Sequence, residues 1–262
     1  MLIDTHSHLF SEEFDEDRLM AVDRAKKVGL KAILLPNIDV STIDRLNSFV
    51  KIDSTFLFPM MGLHPTSINS AYKSDLTRIK EELHREENQY IAVGEVGLDL
   101  YWDKTYQKEQ MYAFEEQVKW SIELDLPLVI HCRDAFKPLF FILDKYRNEK
   151  IRGVFHSFTG SEEELDYALS YSEFYVGING IITFKNSKEL RDIVSKKLPL
   201  SRLLLETDSP YLAPVPYRGK RNESSFLPSV AKTMANIYEL PQETVILKTY
   251  QNTVRLFDRL VL

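Results

Sequence analysis

Residues 2–9 read LIDTHSHL: a short apolar run with one polar break, then two histidines two positions apart. On an extended backbone, side chains at i and i+2 fall on the same side, so His6 and His8 leave the end of a strand pointing together. The pattern recurs along the chain. YIAVG (90–94) is followed by Glu95, LVI (128–130) by His131, GVF (153–155) by His156, and LLL (203–205) three residues later by Asp208. FLFPMM (56–61) leads to His64, and FYVGI (174–178) to Asn179.

Eight apolar runs in all, at 2–5, 31–35, 56–61, 90–94, 128–130, 153–155, 174–178 and 203–205, alternate with longer amphipathic segments such as 17–28, 106–124 and 162–171. In 106–124, Met111, Phe114, Val118 and Ile122 recur at intervals of three and four, the spacing of a buried helical stripe. Short, nearly continuous apolar runs with a helix between each pair read as parallel strands buried on both faces. Eight such units predict an α/β fold, a single (β/α)8 TIM barrel over residues 1–262. A doubly wound open sheet is the alternative, but no GxGxxG or P-loop follows any run. In a barrel the C-terminal strand ends share one rim, where active sites of this fold are built.

Six side chains form the candidate metal site at that rim: His6, His8, Glu95, His131, His156 and Asp208. The chain has only six histidines, and four fall in this set. Imidazole with carboxylate suits Zn²⁺, Mn²⁺ or Fe²⁺, and Mg²⁺ where carboxylates and water dominate. One histidine at a strand end is ordinarily a satisfied polar group, and an HxH pair alone is equally well structural. Six such groups at corresponding ends of different strands are a site. His84, in the charged stretch 81–88, reads as a solvated helical residue. Cys132, next to His131, should face the helices as a small core residue. Ser161 stands in N-cap position ahead of the acidic run 162–164.

The net charge of −6 over 262 residues argues against non-specific wrapping of nucleic acid, which needs a broad basic face. It leaves room for a small phosphate-binding pocket with its own cations. The start MLIDTHSHLF has no signal-peptide pattern, no run reaches membrane-spanning length, and a lone cysteine forms no intrachain disulfide. The expectation is a cytoplasmic monomer with no membrane association.

The motifs DTHSHL (4–9), GLHP (62–65), GEVGLD (94–99), IHCRDA (130–135), FHSFTG (155–160), LLETDSPYLAP (204–214) and YRGKRNE (217–223) together make the chain resemble the TatD-type metal-dependent deoxyribonucleases of the amidohydrolase superfamily. HxH is shared by many amidohydrolases; GEVGLD with ETDSPYLAP and RGKRN is far more specific. The resemblance implies two divalent ions (Mg, Zn or Mn) bridged by Glu95, with His6, His8 and Asp208 on one and His131 and His156 on the other. Several amidohydrolase relatives bridge with a carboxylated lysine at this strand end; Glu95 favours the TatD branch. Many members carry a second histidine just after the HP pair, where this chain has Thr66. That departure bears on rate or substrate range, with His64 retained for substrate binding.

Two ions about 3.5–4 Å apart lower the pKa of a shared water and polarise a phosphoryl oxygen. Glu95 and Asp208 are the catalytic candidates, with Asp208 orienting the nucleophile and accepting its proton. Arg133, Arg218 and Arg221 are candidates for holding phosphate, as bidentate donors, with Lys220 as a point charge. An ordinary solvated basic turn is the competing explanation of residues 218–221. Tyr101, Trp102 and Tyr211 are either base-stacking or core aromatics. The expected activity is 3′-5′ exonucleolytic hydrolysis of DNA, on single-stranded or frayed 3′ ends. The alternatives are an amidohydrolase-type esterase or amidase on a small molecule or aminoacyl-tRNA, and a metal-bound scaffold without turnover.

Overall fold

The computed structural model describes residues 1–85 and 89–262. Among these residues eight strands lie parallel: β1 (Leu2–Asp4), β2 (Leu30–Pro36), β3 (Leu57–Met60), β4 (Val93–Asp99), β5 (Leu128–Arg133), β6 (Gly153–Phe155), β7 (Phe174–Ile178) and β8 (Leu203–Leu205). β1 to β3 pair in chain order, as do β4 to β8. Two junctions close the ring. At one, Met61 bridges Val93, and the Gly94 N–H donates to the Met61 carbonyl at 3.0 Å. At the other, Ser7 bridges Ser209, Thr5 N–H donates to the Leu205 carbonyl at 3.1 Å, and Asp208 N–H donates to that of His6 at 2.9 Å. The fold is the (β/α)8 barrel expected from the sequence.

Nine α-helices among the described residues surround it: α1 (Arg18–Lys27), α2 (Ile43–Val50), α3 (Tyr72–Leu83), α4 (Gln107–Leu124), α5 (Phe136–Leu143), α6 (Glu162–Leu169), α7 (Lys188–Lys197), α8 (Leu227–Tyr238) and α9 (Gln242–Leu256). None is long and apolar enough to cross a membrane. Ser161 caps α6 as expected: its hydroxyl accepts the Glu164 N–H while the Glu164 carboxylate accepts the Ser161 N–H. On α4, Phe114 and Val118 are buried and Met111 and Ile122 half-buried against the strands, the stripe read from spacing. His84 caps the C-terminal end of α3, exposed, with Nδ1 2.8 Å from the Lys80 carbonyl; of the stretch 81–88, residues 86–88 lie outside the described residues.

Strand side chains alternate between two apolar layers. Ile3, Leu34, Met60, Val129, Val154 and Leu204 belong to the barrel interior. Their strand neighbours Ile33, Leu35, Ile130, Phe155, Leu203 and Leu205 pack outward against the helices. Beyond α9, Phe257 and Leu260 join the interior layer. Arg152 pairs with Asp258 at 3.1 Å and Arg259 donates to the Leu124 carbonyl at 2.8 Å, which fixes this plug at the strand-start end. Hydrophobic closure below leaves the opposite mouth for polar groups.

Two strands end later than the apolar runs suggest. β4 extends through Asp99, three residues past the Glu95–Val96 pair, and β5 through Arg133, so Glu95 and His131 sit within strands and do not follow them. Glycine in GEVG reads as a strand end, yet here it permits close approach. A β-carbon on Gly97, whose φ is 137°, would stand 1.9 Å from the His131 carbonyl oxygen. Without one, β4 and β5 stay paired up to the site.

Candidate active site

Parity along the strands places the polar layer directly above the apolar one. Inward-facing Val129, Val154 and Leu204 are each followed two residues later by His131, His156 and Glu206. Glu95 and Asp99 share a face of β4 in the same way. Cys132, one residue out of phase, packs with the outer layer, and burial pushes its thiol well up. It is the small core residue its sequence position indicates.

The six expected metal-site residues converge around the Glu95 carboxylate. Oε2 lies 3.1 Å from His6 Nε2 and 3.4 Å from His8 Nε2. Asp208 Oδ1 completes that group at 3.9 and 3.8 Å from the same two nitrogens. Oε1 of Glu95 faces the other way, 2.7 Å from His156 Nε2 and 3.1 Å from His131 Nδ1. His6, His8 and Asp208 can hold one ion, and His64, Glu95 and His131 form a second such group. Nitrogen and carboxylate donors at this spacing fit a borderline divalent cation.

His64 approaches the second group, with Nε2 3.1 Å from Glu95 Oε1. Its other nitrogen decides its part. Nδ1 accepts the Thr66 N–H at 3.2 Å and lies 2.7 Å from the Thr66 hydroxyl. A neutral ring that accepts at Nδ1 carries its proton on Nε2, so His64 presents a donor to Glu95 in place of a lone pair.

Charge in this cluster is set by burial first. Burial pushes the Asp208 carboxyl up to about 6, opposed by His156 and His8 and assisted by Glu95 and Glu206. Burial would raise Glu95 too, but His156, His64 and His6 outweigh it and hold the carboxyl well below its usual range. Burial, with His156 alongside, keeps His6 well below the ordinary imidazole value. His156 goes the other way: burial would lower it, but Glu95 and Glu206 raise it well above. Divalent ions bind the neutral imidazoles and charged carboxylates, so metal uptake is coupled to proton release here.

Several buried groups inside the recognised motifs had no assigned part in the sequence. Asp99 Oδ2 lies 2.9 Å from His131 Nε2. Glu206 lies 3.5 Å from His156 Nδ1. Asp4, pushed up to about 7 by burial against hydrogen bonds from Thr207 and Ser224, accepts the Thr207 N–H at 2.8 Å and its hydroxyl at 2.6 Å. It thereby ties the HxH strand to the Asp208 loop, where Asp208 has left-handed backbone (φ 57°), a conformation aspartate tolerates. Asn222 donates to the carbonyls of Thr207 and Tyr211 at 2.8 and 2.6 Å. From α4, Gln110 exchanges two hydrogen bonds with the Asp99 backbone and Gln117 two with that of Leu63, beside His64. The available signal was strand parity: Asp99 lies four residues from Glu95, and Glu206 two from Asp208.

The expected phosphate-binding arginines differ in what they touch. The Arg133 guanidinium stacks 3.8 Å over Tyr101 and 5.4 Å from Trp102, and it forms no ion pair among the described residues. Trp102 is 75% and Tyr101 49% exposed, so neither is a core aromatic. Tyr211 is also exposed. Arg218 stacks 3.8 Å over Phe184 and remains exposed. Arg221 is ion-paired with Asp17 at 2.7 Å, donates to the Glu13 carbonyl at 2.6 Å and lies over Phe14.

A family profile described as TatD related DNase matches residues 3–258. The chain is 37% identical over 257 residues to the uncharacterized metal-dependent hydrolase YabD of Bacillus subtilis (strain 168), an alignment covering 98% of this chain and 99% of the relative. It is 30% identical over 261 residues to the 3′-5′ ssDNA/RNA exonuclease TatD of Pantoea vagans (strain C9-1), covering 98% and 99%. The crystal structure of YjjV, a TatD homologue from Escherichia coli K12, matches with a TM-score of 0.91 at 28% identity over 98% of both chains. Because the match runs through every motif that builds the rim, the chain belongs to the TatD-related DNase family of metal-dependent hydrolases.

Proposed function

We propose that this hydrolase is a two-metal deoxyribonuclease that removes nucleotides from accessible 3′ ends of single-stranded DNA. The divided Glu95 carboxylate carries the proposal: one oxygen faces His6 and His8, the other His131 and His156. Glu95 would contribute to both ions, with His6, His8 and Asp208 holding one and His131 and His156 the other. When bound, a pair of Zn²⁺, Mn²⁺ or Mg²⁺ ions supplies a water of lowered pKa and polarises a phosphoryl oxygen.

The protein's own groups do the rest. Asp208, at the open side of its group, orients the attacking water and takes its proton. His64, fixed as the Nε2–H tautomer by Thr66, donates toward a non-bridging phosphoryl oxygen. Arg133 and Arg218, exposed and without an ion pair among the described residues, hold phosphates. Arg221, engaged by Asp17, shapes the loop that carries Arg218. The Pantoea relative's name supports the nucleic-acid substrate and its polarity.

An oligonucleotide labelled at its 5′ end tests this directly. With metal content measured on the same sample, the label should move into products shortened one nucleotide at a time. Intact oligonucleotide alongside cleavage of a carboxylic-ester panel would replace the proposal with the esterase alternative.

A further inference from the structure

Behind the ring of metal-facing atoms lies a second carboxylate, Glu206, to which the scheme above gives no task. It is completely buried. Its Oε1 accepts the Ser157 N–H and lies 3.5 Å from His156 Nδ1. Its Oε2 has no hydrogen-bond partner among the described residues, and neither has the Nδ1 of His6 or of His156. Buried polar atoms are almost always partnered, so three orphans together need a cause.

Their placement supplies one. The imidazoles of His6 and His156 stack with centroids 3.8 Å apart and planes 8° from parallel. One nitrogen of each, with a Glu206 oxygen, forms a group whose members all lie within 4.8 Å of one another. The backbone also makes room for that carboxylate. A β-carbon on Gly177 would stand 2.3 Å from Glu206 Oε2, so only glycine at that position of β7 admits it.

We propose that Glu206 is a positioning residue shared by both metal positions, accepting the Nδ1–H of His156 and of His6 at once. This rests on the two-ion proposal, in which His6 and His156 serve different ions. In a neutral imidazole one nitrogen holds the proton and the other the lone pair. The Nε2 atoms of both rings already face Glu95, at 3.1 Å and 2.7 Å. A carboxylate behind the rings, reaching Nδ1–H directly or through one water, draws the proton to the rear and leaves each Nε2 lone pair at the metal side. Asp99 performs the equivalent service for His131 alone. Glu95 therefore joins the two positions from the front and Glu206 from behind. Loss of Asp99 should weaken one ion, and loss of Glu206 both.

Two measurements test this. In the Zn²⁺-loaded wild type, imidazole ¹H–¹⁵N NMR should show a downfield, slowly exchanging Nδ1–H on both His6 and His156, the mark of donation to a carboxylate behind each ring. In Mn²⁺ titrations, Glu206→Gln should weaken both binding steps by about 10–100-fold, the usual cost of losing such a partner, while Asp99→Asn weakens one. Weakening of a single step in Glu206→Gln, or an Nδ1–H that is absent or exchanges freely at either ring, would overturn the proposal. Uptake of only one ion by wild type overturns the two-ion scheme instead. The NMR result, which needs no variant, still decides the part of Glu206, even where Glu206→Gln does not fold.

Discussion

Asp99 Oδ2 lies 2.9 Å from Nε2 of His131, while Nδ1 of the same ring lies 3.1 Å from Glu95 Oε1. One strand, β4, thus supplies both the carboxylate in front of His131 and the one behind it. A carboxylate behind a ligating imidazole fixes its tautomer and orientation and raises its basicity. Asp99→Asn should therefore weaken one of two metal-binding steps by about 10–100-fold and leave the other unchanged. Calorimetric titration with elemental analysis reads this out; two unaffected steps would reduce Asp99 to a packing role.

Glu95 sits where the two groups meet, so Glu95→Gln should lower uptake of both ions and nearly abolish turnover. His84→Ala should do neither, since that ring bonds the Lys80 carbonyl on α3. Full metal content and activity in Glu95→Gln would end the bridging assignment.

His64 distinguishes a ligand from a donor. With Nδ1 occupied by Thr66, His64→Ala should keep both ions and lose about 10²-fold in kcat, the scale of removing one preorganised donor from a developing charge. Loss of one ion in this variant would make His64 a metal ligand.

The apolar layer of this barrel was legible in the sequence, because burial on both faces imposes short β-runs such as 128–130 and 203–205 that no surface strand needs. The convergence of the six candidate residues was legible because all of them sit at or just past the ends of such runs, where any one of them alone would ordinarily be a satisfied polar group. Asp99, Glu206, Gln110 and Gln117 were not. Their parts depend on which backbone or ring lies across from them, and that is set by pairing between strands and helix packing, not by local spacing. The end of β4 was misplaced for a related reason: Gly94 and Gly97 mark close contact with β5, which in one dimension looks like a turn. Thr66 shows the limit from the other side, since its effect on His64 is a hydrogen bond between neighbours that only the geometry displays.

Away from the site, Asp17 ties two arginines together. Arg221 holds its carboxyl down to about 2 from 3.8, with Arg24 adding to the effect against a smaller cost of burial. A depressed carboxyl contributes stability that is complete above the unfolded value and disappears as pH falls through the folded one. Asp17→Asn should therefore be less stable than wild type at pH 7 by on the order of 1–2 kcal/mol, reduced by solvent screening at the partly exposed arginines. Denaturant titrations should show the gap closing below about pH 4. A gap that stays constant down to the acid limit would mean Asp17 acts by packing.

The same ion pair separates the basic residues near the mouth. A chain of net charge −6 can neutralise few phosphates. The slope of log K against log salt for single-stranded DNA should be shallow, about −1.4 to −2.8, corresponding to two to four contacts at about 0.7 each. Arg133 and Arg218 are exposed and stacked on aromatic rings, with no ion pair to break among the described residues, so Arg133→Gln and Arg218→Gln should each flatten the slope by about 0.7. Arg221 already faces Asp17 and the Glu13 carbonyl. Bringing it to a phosphate would break a partly buried pair for a contact of the same kind, with no net gain. Arg221→Gln should leave the slope unchanged and lower the unfolding midpoint. If Arg221→Gln flattens the slope while Arg218→Gln does not, DNA enters from the α1 side of the mouth, and the phosphate track passes over Asp17 and not over Phe184.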